Sequence, residues 1–417
     1  LENLADVTRI QRLERLLSAM RSEVATDLRE RQWRVALQRV VGQKGEFVET
    51  ELLREVEALE RDIRLQANAA WSQAKERVQR EITAGNYAAV FAGLDAASAG
   101  ALEEHRAEAD AMRLRFAQSF VPTQLQVFED RRDGAGGLER VAEYRRVADF
   151  QPVSDVLDRF QRRFTLLAEG FVPVRLRGDQ VAAPPELAPE GTIWHVSEFW
   201  MARHEVTRAQ YRAFIEAGGY TTERFWTSQG WQAVQAGEFQ RIGVNQPAVG
   251  WRNGRPTAGT EAWPVTGVSH HEAMAYAAWA GRSLPSVQEW VIAAGYDSNR
   301  AGGPGFRRYP WGESLRTPTR EVPGHLTVGE TLLAEPQPVG SRPLDVSPFG
   351  VLDMGGNVAE WTRDLARSPM QNLVCGGWFN AVPEQVEQIA RVTFTQSLFH
   401  HERVPHVGFR LMHRIPE

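Results

Sequence analysis

Apolar residues in the first part of the chain recur every three or four positions, which is the spacing of one face of an α-helix. The series begins with Val7, Ile10 and Leu13, and the positions between its members are filled by polar residues such as Arg. No proline occurs before residue 121. The pattern predicts long helices, packed antiparallel or as a coiled coil, in a helical bundle that we assign to residues 1–170.

Glycine-containing segments interrupt this helical pattern at residues 42–45, 85–86 and 93–100. Because glycine is a common helix terminator, we expect the helices to end at these points. A further helical segment, residues 137–169, leads toward a region of different character.

The pattern changes at residue 171, where short apolar runs typical of strands replace the helical spacing. Most of the glycine, proline and tryptophan lies beyond this point. Capping boxes, in which a hydroxyl and an acid or amide three positions later bond the first free helix amides, predict short helices after Thr207, Ser269 and Ser286. The pattern therefore predicts a loop-rich α+β domain over residues 171–417.

Composition and charge restrict the classes of function. A length of 417 residues favours two domains, and a net charge of -5 gives no reason to expect nucleic acid binding. No apolar run approaches the length needed to cross a bilayer. The single cysteine, Cys375, excludes an internal disulfide and is predicted to be a buried, inert thiol. The chain begins with Leu1 in place of Met, so we interpret it as a processed or truncated form.

One segment, residues 353–361, combines two adjacent glycines with an amide, a carboxylate and a tryptophan. Adjacent glycines allow backbone carbonyls to turn inward, and Glu360 adds a charged oxygen. The residues leave two interpretations open: a tightly hydrogen-bonded turn, or a site for a hard cation.

The second half of the chain also contains an ordered series of motifs, at residues 205–214, 264–269, 281–290, 309–312, 355–361, 376–377 and 408–410. In order and spacing these motifs resemble the formylglycine-generating enzyme, or sulfatase-modifying factor, family over residues 171–415. The resemblance implies a C-type-lectin-like fold with a small mixed sheet and long ordered loops. The helical bundle lies outside it.

The resemblance also implies a place for redox metals. Copper-dependent members carry a cysteine pair at positions that fall on Ala381 and Val386 of this chain. The iron-dependent sulfoxide synthases of the family use three histidines, but residues 1–170 contain only His105, which we predict to lie on a solvated helix face. We therefore expect neither copper nor iron.

The same resemblance implies one structural calcium. Its ligands would be the carbonyls of Gly355, Gly356 and Val358 and the carboxylate of Glu360. A second family site, in the loop at residues 313–336, lacks an Asn or Asp counterpart, so we predict one site.

The paired histidines have other interpretations. His270 and His271 stand inside a capping box, so we assign them to helix-start or surface roles. His400, His401 and His406, with Glu402 nearby, could form an opportunistic zinc or copper site, although their spacing matches no standard motif.

These observations predict a catalytically silent protein that acts by binding another protein and is not an enzyme. The predicted contact residues are Trp378, Phe379, Phe394, Phe399, His400, His401 and Arg403. The resemblance suggests a periplasmic regulator of a type VI secretion threonine kinase, whose extracytoplasmic domain would be the partner. Two alternatives are a variable ligand-binding protein of a diversity-generating retroelement and an iron-dependent sulfoxide synthase-like or other metal-dependent oxidase.

Overall fold

The computed structural model describes residues 2–48, 50–147, 151–239, 251–252, 255–315 and 335–415. The chain divides into two compact units, Leu1–Thr165 and Leu166–Glu417. The boundary predicted from the sequence, after residue 170, falls five residues later than this division. No helix among the described residues combines the length and the apolarity that a membrane span requires.

The first unit is helical. Its helices are α1 Glu2–Arg29, α2 Trp33–Gln43, α3 Leu53–Thr83, α4 Tyr87–Ser98, α5 Glu103–Arg115, α6 Val121–Asp130, α7 Gly134–Val147 and α8 Gln151–Ala168, which continues into the second unit. A 3-10 turn follows α2 at Lys44–Phe47, and a π turn follows α5 at Phe116–Phe120.

The apolar faces of α1, α2 and α3 pack into one core. Leu13 and Leu17 of α1, Val40 of α2 and Ile63 of α3 are all buried in it. The periodic residue Ile10, in contrast, is about half exposed. The helical module is therefore present as predicted, while its coiled-coil geometry stays a prediction.

The helix end predicted at residues 93–100 is confirmed: α4 ends at Ser98 and Gly100 has a φ of 72°, although Gly93 itself lies inside α4. One sequence expectation for this unit was wrong. His105 is buried, not solvated: its Nε2 lies 2.7 Å from Asn68 Oδ1 and its ring stacks on Trp71 at 5.6 Å between centroids. Asn68 and Trp71 are three positions apart and so share the face of α3 that receives His105.

The second unit is a mixed α+β domain of short strands. A three-stranded sheet runs in the order β1 (Phe171–Val174), β4 (Phe199–Ala202), β13 (Met412–His413). A four-stranded sheet runs in the order β11 (Thr395–Phe399), β10 (Gln371–Cys375), β9 (Ala359–Leu365), β12 (Val407–Gly408), and its β12–β9 pair is parallel. Two-stranded pairs are β2 (Gln180–Ala182) with β3 (Ile193–His195), β5 (Trp251–Arg252) with β6 (Arg255–Pro256), and β7 (Tyr296–Asp297) with β8 (Gly305–Phe306).

The helices of this unit are α9 Arg208–Glu216, α10 Ser228–Gln235, α11 His270–Trp279, α12 Val287–Gly295 and α13 Pro383–Ile389. The three predicted capping boxes are confirmed: the side chains of Thr207, Ser269 and Ser286 each accept from the backbone amide three residues later. Their own backbone amides donate in return to the side chain of that later residue. Cys375 ends β10 and is buried, as predicted. Burial raises the pKa of its thiol well above the ordinary value.

Candidate functional site

The turn at residues 353–361 is buried and fixed by hydrogen bonds from side chains. Asp353 and Asn357 both adopt positive φ, at 59° and 63°. Asp353 accepts from the amide of Gly340, and the carboxylate of Asp345 accepts from the amide of Gly355 at 3.0 Å. These carboxylates therefore hold the loops together through their backbone donors.

Glu360 ends this turn in an ion pair with Arg410, and both side chains are fully buried. Two guanidinium nitrogens lie 2.6 Å from the two carboxylate oxygens, and Trp290 Nε1 donates to the same carboxylate at 2.7 Å. Arg410 also donates to the carbonyl of Leu352 at 2.9 Å. Both oxygens of Glu360 thus accept hydrogen bonds from protein donors. These contacts do not support its predicted role as a calcium ligand.

The calcium assignment to Gly355, Gly356, Val358 and Glu360 stays a prediction. The loop at residues 313–336, where a second calcium site was not expected, lies mostly outside the described residues.

Acidic groups crowd around Arg410. Glu205 accepts from Asn357 Nδ2 at 3.1 Å and is buried beside Asp353. Burial raises the pKa of Glu205 and Asp345 well above the ordinary range, and it raises the pKa of Asp353 to about 6.

The positions that correspond to the family's copper ligands do not fit a metal. Ala381 is buried, and Val386 packs with Tyr309 and Trp311 in a small apolar cluster. Neither side chain offers a donor atom, so a thiolate-bound copper has no place here. Nor do the described residues contain a group of three or more His, Cys, Asp or Glu side chains arranged to hold a metal ion.

A histidine cluster forms at the start of α11. The rings of His271 and His400, which are far apart in the sequence, lie 4.6 Å apart between centroids. His270 joins them through its amide, which donates to the carbonyl of His400 at 3.1 Å, and its Nε2 lies 3.1 Å from the carbonyl of Thr362. His401 is exposed, with its ring 5.9 Å from that of His400.

The capping box explains why this cluster forms. Ser269 caps α11, so His270 and His271 are its first two residues and face the segment that carries His400. Both are buried, so the expectation of a helix-start role is confirmed and that of a surface role is wrong. Burial lowers the pKa of His270 to about 3 and that of His271 to about 4, and it also lowers the pKa of His400. The three imidazoles are therefore neutral at pH 7, which is the form that binds metals.

A buried ion pair supports the cluster from one side. Glu272 accepts two bonds from Arg403, at 2.5 and 2.8 Å, and is also bonded by the hydroxyl of Tyr220. The Arg403 guanidinium lies over the ring of Phe239, and that ring is 5.8 Å from His271. Arg403 thereby fixes the segment after β11 against α11.

The predicted partner-contact residues separate into three groups. Phe379 and His400 are buried, and Arg403 is held by Glu272. Phe399 is 42 % exposed, and the exposed His401 lies beside it. The other two contact residues, Trp378 and Phe394, are partly buried and touch each other.

The ring of His406 stacks on Trp378, with 4.7 Å between the ring centroids. None of the ring contacts described above connects His406 to the histidine cluster. Sequence reasoning missed the pairing of His271 with His400. The two His-His dipeptides were the available signal.

Comparison with known proteins identifies the second unit. The model of the sulfatase-modifying factor enzyme 1-like domain matches residues 160–415. The chain is 39 % identical over 180 residues to a hercynine oxygenase of Mycobacterium tuberculosis, covering 41 % of this chain and 39 % of that protein. It is 35 % identical over 198 residues to that of Mycolicibacterium smegmatis, covering 47 % and 44 %. It is 31 % identical over 227 residues to a formylglycine-generating enzyme of Thermomonospora curvata, covering 48 % and 72 %.

These relatives correct two predictions. Each carries the name of an enzyme, so the prediction of a catalytically silent binding protein that is not an enzyme is wrong. The expectation of neither copper nor iron is also wrong, because oxygenase chemistry generally relies on a cofactor such as iron, copper, haem or flavin. The chain spans about two-fifths of the length of the hercynine oxygenases it matches.

Proposed function

The chain belongs to the sulfatase-modifying factor enzyme family, and from this premise we propose that it is a metal-dependent oxidase whose reaction centre is the histidine cluster. The observation that carries the proposal is the pair of neutral imidazoles, His271 and His400, brought within 4.6 Å by two distant segments. The relatives named hercynine oxygenase supply the class of reaction.

The histidine cluster provides some of the ligands that a redox metal needs. Imidazole nitrogen is a ligand for copper, iron and zinc alike. Nδ1 of His271 faces Thr227 Oγ1 at 3.4 Å, which leaves Nε2 as the metal-binding atom. His270 uses its Nε2 on the carbonyl of Thr362 and is therefore a positioning residue.

Two imidazoles are fewer ligands than a stable redox centre needs. The proposal takes the third from His401, whose exposed ring lies 5.9 Å from that of His400, or from a heteroatom of the substrate. A metal bound in this way would activate oxygen or a thiol. The protein's own contribution is to hold the two imidazoles neutral and fixed through Ser269, Glu272 and Arg403.

The first substrate to test is hercynine, because two relatives are named for acting on it. Hercynine carries a trimethylammonium group, which aromatic rings bind well. The exposed ring of Phe399 offers such a surface beside His401.

Metal analysis of protein purified without chelator tests the proposal. We expect about one iron or copper ion per chain, together with oxygen uptake in the presence of hercynine and a thiol. His271→Ala and His400→Ala should each weaken metal binding by roughly tenfold or more, because loss of one of two ligands removes most of the site. The exposed His195→Ala serves as the matched control and should bind metal as the unmodified protein does.

Retention of the redox metal by both cluster variants would refute the proposed centre, provided that their unfolding transitions match that of the control.

The same metal analysis counts calcium and so tests the predicted site at Gly355, Gly356, Val358 and Glu360. A protein partner such as a kinase extracytoplasmic domain, and a periplasmic location, stay predictions. A pull-down with a purified kinase domain tests the first, and fractionation of cells tests the second.

A further inference from the structure

The helical unit contains a cavity that the proposed oxidase activity does not use. It has a volume of about 290 Å³ and lies where the turn between α3 and α4 meets α7. Its lining includes Asn86 and Tyr87 on one side and Arg140, Glu143 and Tyr144 on the other. The volume is at the lower end of the range found for small-molecule sites.

The hydroxyl of Tyr144 indicates that the cavity binds a ligand. The side chain is only 2 % exposed, and its hydroxyl oxygen is buried with no hydrogen-bond partner in the protein. A buried hydroxyl without a partner costs stability, and native proteins nearly always satisfy such groups. Burial raises the pKa of this phenol, so it stays protonated and can act as a donor.

The charges around the cavity favour an anion. Arg140 and Arg146 contribute two positive charges, and Glu143, paired with Arg140 at 2.7 Å, contributes one negative charge. The charge of Arg140 also opposes the rise in pKa that burial causes at Tyr87 and Tyr144.

The body of the cavity is aromatic. The rings of Tyr87 and Tyr144 lie 5.5 Å apart, and Tyr87 is backed by Phe116 and Phe120. Such a surface packs well against a flat apolar ring.

We propose that this cavity binds a small aromatic carboxylate. The carboxylate accepts a hydrogen bond from the Tyr144 hydroxyl and pairs with Arg140, while the aromatic ring lies against Tyr87. An uncharged analogue lacks the charge that attracts Arg140, which then keeps only its pairing with Glu143, and a non-aromatic acid leaves the tyrosine surface uncovered.

Titration of the full chain with benzoate by calorimetry tests the site. We expect saturable binding of one benzoate per chain, and binding of benzamide and of acetate at least about tenfold weaker. Tyr144→Phe should weaken benzoate binding by about tenfold, since it removes a hydrogen bond to a charged group. Arg106→Ala, a surface arginine on α5 outside the cavity, should bind benzoate like the unmodified chain.

Thermal unfolding without ligand shows whether weaker benzoate binding results from misfolding of the variant. Tyr144→Phe should melt at or above the temperature of the unmodified chain, because it removes an unsatisfied buried hydroxyl. Should that variant fail to fold, Arg140→Gln takes its place with the same expected loss of benzoate binding. Absence of saturable benzoate binding up to about 10 mM, or unchanged binding by the folded variant, overturns the proposal.

Discussion

At the scale of single residues, the ion pair of Glu360 and Arg410 determines how the loops of the second unit are held. The pair is fully buried, and Arg410 extends it to the carbonyls of Leu352 and Ala202. One guanidinium thereby joins β4, the turn before β9 and the C-terminal segment. Because the surroundings exclude water, removing one partner leaves an uncompensated charge.

Replacing Arg410 by Met should lower the free energy of unfolding by about 3–5 kcal/mol, the usual cost of breaking a buried pair. Urea unfolding followed by tryptophan fluorescence measures the change. The exposed pair of Arg300 and Glu313 provides the matched control, and Arg300→Ala should cost less than about 1 kcal/mol. Equal losses in the two variants would show that the buried pair is no more important than a surface one.

The residues that could be predicted from the sequence are those whose interactions are local. A capping box joins residues three positions apart, so Thr207, Ser269 and Ser286 were correctly identified. The pair of Glu272 with Arg403 spans 131 positions, and nothing in the neighbourhood of either residue indicates the other. His105 was misassigned for the same reason, since the α3 face that buries it is distant in sequence.

At the scale of elements, two glycine turns meet in the core of the second unit. Gly376 has a φ of 82°, in the left-handed region that favours glycine. A Cβ on Gly377 would lie 2.6 Å from the carbonyl oxygen of Gly355 and 3.1 Å from Ile389. The loop after β10 can therefore approach the turn before β9 this closely only because Gly377 lacks a side chain.

Substituting Gly377 by Ala should destabilise the protein by roughly 2 kcal/mol or more, because the backbone at Gly355 must move to admit the methyl group. Gly305, whose added Cβ would meet nothing closer than 3.8 Å, is the control. Denaturant unfolding of Gly305→Ala should give a free energy within about 0.5 kcal/mol of the unmodified chain. A tolerated Gly377→Ala would mean that the two turns can separate without cost.

The motif pattern predicted the architecture of these elements but not their function. The family resemblance identified the fold because the motifs are packing and turn residues, such as Trp290 and Gly355, which the fold itself requires. Ala381 and Val386 stand where copper-dependent members carry cysteines, and this absence of thiols predicts a protein without catalytic activity. That step was wrong because chemistry can depend on residues outside the fold-defining motifs.

At the scale of the whole molecule, the pH dependence of stability is a balance of two opposed sets of buried groups. His270 has a pKa of about 3 in the folded protein, well below its unfolded value. Its contribution to the free energy of unfolding is therefore complete above about pH 6.5 and is lost as the pH falls. Asp353 has a folded pKa of about 6, above its unfolded value, so its contribution grows as the pH falls from about 6 to 4. Single variants separate the two sets.

His270→Gln should therefore lose less stability than the unmodified chain between pH 6.5 and pH 4.5, by about 1–3 kcal/mol, since each fully shifted group contributes about 1.4 kcal/mol per pH unit. Glutamine keeps a donor for the Thr362 carbonyl, which limits the effect of lost packing.

Asp353→Asn, which can still accept from the Gly340 amide, should change the dependence of stability on pH in the opposite direction. Urea unfolding at the two pH values measures both changes. Parallel stability profiles for all three proteins would show that neither group changes its protonation on folding, and the neutral state assumed for the histidine cluster would lose its main physical support.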